Sequence, residues 1–244
     1  MSGARALYAR RLAPADSPCG SLWVEVAGAL ACLRRSGALW LERDGVLAAG
    51  DLHLEKGSAY AARGQLLPPY DTAATLERLQ AEVEALDPRV VVLMGDSFHD
   101  DGGVGRLSAP DVERIAALAR GRVLVWIVGN HDRAGPGGLP GERAEEILVG
   151  GLTLRHEPLA GYAPREVAGH LHPCARVVAG GGSVRRRCFV TDGERLILPA
   201  FGAFAGGLNV RDPACARLFA RAPLAAALGS RRVHPIAWSA LAGD

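Results

Sequence analysis

Apolar and polar positions follow two different rhythms along this chain. Through roughly the first half, short β-branched or apolar runs alternate with stretches of helical spacing, the layout of βαβ units around a largely parallel sheet. Ala38 to Glu42 and Val46 to Ala49 read as strands joined through Asp44-Gly45, which predicts a hairpin because both turn residues tolerate positive φ. Asp71 stands where a helix cap is expected, and Leu76, Leu79, Val83 and Leu86 recur on one face until Pro88 closes the helix. The buried strand Val90 to Met94 follows. Ser108, Pro110 and Asp111 open a second amphipathic helix, Gly121 ends it, and Val123 to Val128 is the next apolar strand.

After about residue 150 the pattern changes to short strands joined by turns: Leu152 to Arg155, Glu166 to Ala168, Arg185 to Val190, and Leu196 to Leu198 beyond the Asp192-Gly193 turn. Antiparallel pairing is the natural expectation there. A parallel-like half followed by an antiparallel half predicts an α/β fold of two sheets packed face to face with helices outside, a four-layer α/β/β/α sandwich. No repeat, charge block or low-complexity linker divides the sequence, although Gly135 to Gly141 and Gly180 to Gly182 are loop-like. The 244 residues therefore read as one domain, 1–244, with the chemistry-bearing core between about 38 and 210.

Composition changes this picture little. A hydrophobic fraction of 49% and a charged fraction of 22% are globular values, which excludes a disordered or fibrous chain. No apolar run is long enough to span a bilayer, and the arginines within Met1 to Arg11 occupy the place where a signal peptide needs an apolar core, so a cytoplasmic protein is expected. The five cysteines are scattered and lack Cys-x-x-Cys spacing, which argues for reduced thiols rather than a disulfide framework or a zinc finger. A net charge of +2 names no nucleic-acid partner by itself. Lys56 is the only lysine, and the arginine excess goes with abundant Ala and Gly, as GC-rich codon usage would give.

Candidate chemistry sits at the strand ends. Asp51-Leu52-His53, Gly95-Asp96, Asn130-His131-Asp132 and Gly169-His170-Leu171-His172 each follow an apolar strand, and His156 ends another. Singly, these are ordinary features: a cap beside a histidine, a turn, two rings on one face of a strand. Together they predict one crevice, because layered α/β folds bind ligands beyond the carboxyl ends of their strands. Gly50, Gly95, Gly129 and Gly169 precede the key residues, where glycine lets the backbone turn sharply and leaves space for ions.

Asp-x-His, Gly-Asp, Gly-Asn-His-Asp and Gly-His-x-His in this order resemble the calcineurin-like metallophosphoesterase superfamily, from about Ala38 to Asn209. The stretches beginning Asp51-Leu-His-Leu-Glu-Lys56, Leu67-Pro-Pro-Tyr-Asp71, Gly95-Asp-Ser-Phe-His-Asp100, Leu154-Arg-His-Glu-Pro158 and Leu198-Pro-Ala-Phe-Gly202 are similar to its PdeM-like, ligase-associated members. The resemblance implies the four-layer sandwich and a di-metal phosphodiesterase of DNA or RNA, associated with DNA ligase and helicase repair genes. It further implies Asp51, His53 and His172 on one ion, Asn130, His156 and His170 on the other, and Asp96 bridging both. Mixed imidazole and oxygen ligands suit Mn²⁺, then Fe²⁺ or Zn²⁺, better than Mg²⁺ or Ca²⁺. His131 is expected to face the phosphate as transition-state stabiliser or leaving-group acid, and Asp132 to orient it.

Many superfamily members carry Asp or Asn three residues beyond the Gly-Asp aspartate. Here that place holds His99, followed by Asp100, and His99 is a candidate substrate contact along with Arg133. Glu55 and Lys56 read as surface or supporting groups, and His234 matches no motif. Arg185-Arg186-Arg187 fits either a solvated strand edge or a phosphate contact, while the four tryptophans are too dispersed for a base-stacking platform. A phosphomonoesterase or nucleotide hydrolase with the same ions is the alternative reading. A non-catalytic scaffold is disfavoured because no ligand position is lost.

Overall fold

The computed structural model describes residues 19–244, so the expectation drawn from Met1 to Arg11 lies outside the described residues. The first sheet runs β1 (Leu22–Val26), β2 (Ala29–Leu33), β3 (Leu39–Leu41), β4 (Val46–Ala49), β5 (Val90–Met94), β6 (Val123–Ile127) and β7 (Glu142–Ala144), in spatial as well as chain order. Its first four strands pair antiparallel and the rest parallel. The predicted hairpin joins β3 to β4 through one 3-10 turn, with Gly45 leaving it at φ 61°. Helices α1 (Lys56–Ala61) and α2 (Asp71–Leu86) connect β4 to β5, and α3 (Ala109–Leu118) connects β5 to β6.

Ser108 caps α3 as expected, its hydroxyl accepting from the Asp111 amide at 3.3 Å. Asp71 does not cap α2. It is the first helical residue, and its carboxylate accepts from the Gly57 amide at 3.0 Å instead, tying α2 to α1. The helix dipole favours a carboxylate in that turn either way.

The second sheet holds β8 (Glu146–Val149), β9 (Leu152–Arg155), β10 (Glu166–Ala168), β11 (Pro173–Ala179), β12 (Gly182–Thr191), β13 (Arg195–Ile197) and β14 (Leu208–Asn209), in the order β14-β11-β12-β13-β10-β9-β8. Strands β15 (Leu224–Leu228) and β16 (Val233–Ala237) extend from β12. The antiparallel expectation fails at its centre, where Glu166 faces both Thr153 and Arg195 in parallel register. The loop from His156 to Arg165 returns the chain without a helix, so no helical period announced the crossover.

Burial on alternate strand faces separates the layers. Val92 and Met94 of β5 point into the core between the sheets with Leu154, Val167, Phe189 and Leu196, whereas Val91 and Leu93 meet Leu76, Leu79, Val83 and Ile115 of the helices. The outer face of the second sheet carries Cys188, Val190 and Ala225 under Cys215 and Leu241. Its cover is one short helix, α4 (Pro213–Ala216), and the C-terminal segment, so the fourth layer is thinner than the expected helical one. Trp40 and Trp126 are buried in the helix-side core, in keeping with a packing role. None of the described cysteines forms a disulfide, and Cys32, Cys174, Cys188 and Cys215 are buried. No described helix is long and apolar enough to cross a membrane.

One charged pair lies inside this core. Arg195 and Glu166, 2% and 3% exposed, face each other across β13 and β10 with Nε and Oε2 at 2.8 Å, an ionic contact without hydrogen-bond alignment. The guanidinium also donates to the Leu218 and Leu159 carbonyls at 2.7 and 2.8 Å, and Glu166 accepts from the Leu159 amide at 2.9 Å.

Candidate metal centre

The loops after β4 and β5 are zipped together. The Asp51, His53 and Leu54 amides donate to the Gly95, Asp96 and Ser97 carbonyls at 3.1, 2.9 and 2.8 Å, which fixes Asp51 and His53 beside Asp96. Beneath them runs the loop 198–205: the Phe201 and Gly202 amides donate to the Gly50 and Asp51 carbonyls at 2.9 and 3.0 Å. Arg187 holds that loop through the Ala200, Gly202, Ala203 and Ala205 carbonyls, and Arg78 donates to the Phe201 carbonyl with its guanidinium 4.5 Å over the Phe201 ring. The arginine triplet is therefore no uniform edge. Arg187 is a structural clamp, and only Arg185 and Arg186 are exposed. The sequence signal for this support was Leu198 to Gly202, which carried no assigned role.

Asp51, His53, Asp96, His170 and His172 adopt φ between 45° and 67°, the left-handed region that side chains rarely enter. Such strain persists where the surroundings over-determine it, typically at functional sites. The glycine expectation needs correction accordingly. Of Gly50, Gly95, Gly129 and Gly169, only Gly95 takes positive φ; the turns are made by the side-chain-bearing residues themselves. What Gly129 and Gly169 supply is room, since a Cβ would stand 2.2 Å from the Asp96 amide nitrogen and 2.5 Å from Asp51 Oδ2 respectively. Gly50 has an ordinary 3.5 Å to its nearest neighbour. Gly129→Ala is thus expected to cost about 1–3 kcal/mol through overpacking and to weaken ion binding, with Gly50→Ala tolerated. Thermal melts and ion titrations of the two variants check this.

Two donor clusters emerge, with all ligand atoms in each within 4.8 Å of one another: Asp51, His53 and His172; and Asp96, His156 and His170. In the first, His172 Nε2 lies 3.2 Å from both His53 Nε2 and Asp51 Oδ1. In the second, His156 Nε2 lies 3.0 Å from Asn130 Oδ1, 3.2 Å from His170 Nδ1 and 3.4 Å from Asp96 Oδ1. The opposite nitrogen of His156 faces the Met94 carbonyl at 3.2 Å, which leaves Nε2 to the cluster. A third grouping, His53, His99 and His131, stands beside the first. His234 is exposed on β16 and joins none of these groups among the described residues.

The electrostatics fit divalent cations. Asp51 and Asp96 are 0% and 2% exposed, and their nearest potential counter-charges are imidazoles. Burial opposes ionisation of Asp96, yet the His156 hydrogen bond and charge, the His131 amide and His53 bring its pKa down to about 2. Burial also works against His156⁺, but hydrogen bonding to Asp96 and the Asp51 charge push it up to about 9. His53 moves the other way, to about 4, through burial and the neighbouring His172 and His131, so its ring is a neutral donor. A buried carboxylate pair that draws positive charge onto His156, with the neutral His53 ring beside it, is a site that metal ions satisfy.

Asp132 does not orient His131. Its carboxylate is occupied by the Ser97, Phe98 and Gly129 amides at 2.7, 3.2 and 3.0 Å, and so staples the loop after β6 to the loop after β5. His131 is held instead by its ring Nδ1 against the His99 carbonyl at 3.1 Å, with Nε2 4.0 Å from Asp96 Oδ2 and the side chain 43% exposed. His99 stacks on His131 at 5.8 Å and meets His53 edge-on at 5.9 Å. Arg133 is exposed and lines a cleft of about 450 Å³ that opens onto Asn130 and His156. Glu55 is buried, accepting from Thr72 Oγ1 and Ser58 Oγ, and Lys56 Nζ donates to the Phe204 carbonyl at 3.1 Å.

Two buried aspartates at the strand ends of a two-sheet sandwich, each gathering imidazoles, are the equipment of a metal-dependent phosphoesterase. Residues 45–194, more than half of the chain, match the family model described as calcineurin-like phosphoesterase, and the chain belongs to that family. A search of curated proteins finds no match. Among solved structures, the Pseudomonas putida nuclease MPE is similar at 29% identity and a TM-score of 0.69, over 88% of this chain and 100% of that one. Yfce, a phosphoesterase from E. coli, matches at 17% identity and a TM-score of 0.40, over 79% of this chain and 98% of its own.

Proposed function

We propose that the chain is a dinuclear phosphodiesterase that acts as a nuclease, with Asp51, His53 and His172 on one ion, Asn130, His156 and His170 on the other, and Asp96 between them. The observation that carries this reading is the reach of one buried carboxylate: Asp96 Oδ1 lies 3.4 Å from His156 Nε2, while Oδ2 lies 3.9 Å from His53 Nε2. Similarity to the P. putida nuclease supports the nucleic-acid half of the reading. The mixed nitrogen and oxygen donors favour Mn²⁺, and a DNA-repair setting alongside ligase and helicase genes, in the cytoplasm, completes the proposal.

When bound, a pair of divalent ions supplies a water of lowered pKa and neutralises charge on the attacking and leaving oxygens. The chain's own residues do the rest. Asp51 and Asp96 accept the His170 and His131 amides, at 3.0 Å for Asp51 Oδ2 and 2.9 Å for Asp96 Oδ1, which sets the two later loops against the two earlier ones. With His131 Nδ1–H given to the His99 carbonyl, Nε2 is the nitrogen left to exchange a proton: as the imidazolium the ring gives the Nε2 proton to a leaving oxygen and returns to the neutral Nδ1–H form. Burial, with Lys56 and His131 nearby, keeps the His99 pKa below the ordinary imidazole value, so its ring meets substrate as a neutral hydrogen-bonding group.

The purified chain, supplied in turn with Mn²⁺, Fe²⁺, Zn²⁺ and Mg²⁺, is expected to hydrolyse bis-p-nitrophenyl phosphate and DNA or RNA strands, fastest with Mn²⁺, and to bind close to two ions per chain. Hydrolysis of p-nitrophenyl phosphate alone would make it a phosphomonoesterase. Neither bound ions nor turnover would leave a scaffold.

A further inference from the structure

One wall of the site continues outward through contacts that the ion chemistry does not use. His99 stacks on His131, and Tyr60 tilts onto His99 at 5.6 Å between centroids. Lys56 Nζ stands 5.8 Å over the Tyr60 ring and donates to the Phe204 carbonyl. The Phe204 ring meets Tyr70 edge-to-face at 5.7 Å, and Tyr70 itself is 57% exposed. Arg63, exposed just past α1, is tied to the same wall by its amide, which donates to the Tyr60 carbonyl at 2.9 Å. The surface thus sets Lys56 and Arg63 among the rings and runs to His131, the residue to which the proposed mechanism gives the phosphate.

Each nucleotide of an unpaired strand offers a π-face and a negative charge, so rings with cations among them match both. A purely apolar partner would leave Lys56 and Arg63 without a use, and an acidic one would leave the rings without a use. Resting on the nuclease reading above, we propose that Tyr70, backed by Phe204, is the stacking platform for a nucleobase flanking the scissile phosphate, with Lys56 and Arg63 holding the adjoining backbone.

The test uses the full chain with Mn²⁺ and two single-stranded oligonucleotides of equal length, one carrying all its bases and one abasic around the cleavage position. The wild-type chain is expected to prefer the first. Tyr70→Ala should lower kcat/KM on it roughly tenfold, mainly through KM, with far less loss on the abasic strand, and Tyr70→Trp should restore the preference. Melting temperature verifies that each variant is folded. Equal losses on both strands, or no loss on either, overturn the platform. If the wild-type chain cleaves both strands alike, the platform falls while the nuclease reading stands. If it cleaves bis-p-nitrophenyl phosphate but neither strand, the nuclease reading falls and takes the platform with it.

Discussion

Asp96→Ala is expected to lose ion loading and turnover together, with activity falling on the order of a thousandfold or more, since several kcal/mol of charge stabilisation go with the ions. The carboxylate is 2% exposed, reaches donors of both clusters, and accepts the His131 amide, so its removal unties the loop after β6 as well. His131→Ala should separate the two properties. Its ring belongs to neither main cluster and is held by the His99 carbonyl and by ring contacts with His99 and His53, so ion content should survive while turnover drops about 10²–10⁴-fold, the usual worth of a positioned acid. Metal analysis and steady-state rates on the same preparations decide the matter. Normal turnover in His131→Ala would remove the assigned role.

The largest stability effect is expected far from the ions, at Arg195→Met. Breaking a buried pair by deleting one partner typically costs about 3–5 kcal/mol, because the remaining charge keeps its desolvation penalty. Glu166 would be left 3% exposed with Arg155 at 3.6 Å as its remaining cation, and the Leu159 and Leu218 carbonyls would each lose a donor. Glu166 already has its pKa raised by burial despite both arginines, a sign that desolvation outweighs their attraction. The double variant Arg195→Met/Glu166→Met should therefore recover most of the loss. Urea melts of both variants give the comparison, and an Arg195→Met midpoint equal to wild type would show that the pair does not hold the second sheet together.

The features legible in the sequence are those with a local period or a local motif. The run Val90 to Met94 and the stripe Leu76, Leu79, Val83 are buried on the expected faces, and the donor motifs at the strand ends meet in one crevice. What the sequence hid are contacts made by backbone groups far along the chain. Asp132 reads as the natural partner of its neighbour His131, yet the amides that occupy it belong to Ser97 and Phe98, some 35 residues earlier. Arg187 reads as one of three surface arginines, and only the carbonyls of loop 198–205 reveal its use. The parallel register of β9 and β10 was invisible for a different reason: a ten-residue loop, 156–165, replaces the helix whose spacing would have signalled it, and β10 reaches its parallel partner β13 through the β11–β12 hairpin, again without a helix.

Glu145 is the point where the chain passes from β7 in one sheet to β8 in the other, and it divides the donors as well. Asp51, His53, Asp96 and Asn130 come before it; His156, His170 and His172 come after. During synthesis the earlier half emerges with two carboxylates destined for burial and an incomplete set of imidazoles. On the proposed ligand set, ions have no finished seat until the later sheet docks, and mass action then favours only the completed molecule. Cation supply becomes a folding variable: starving the ribosome-fresh chain of metal should lower its yield, not merely its rate.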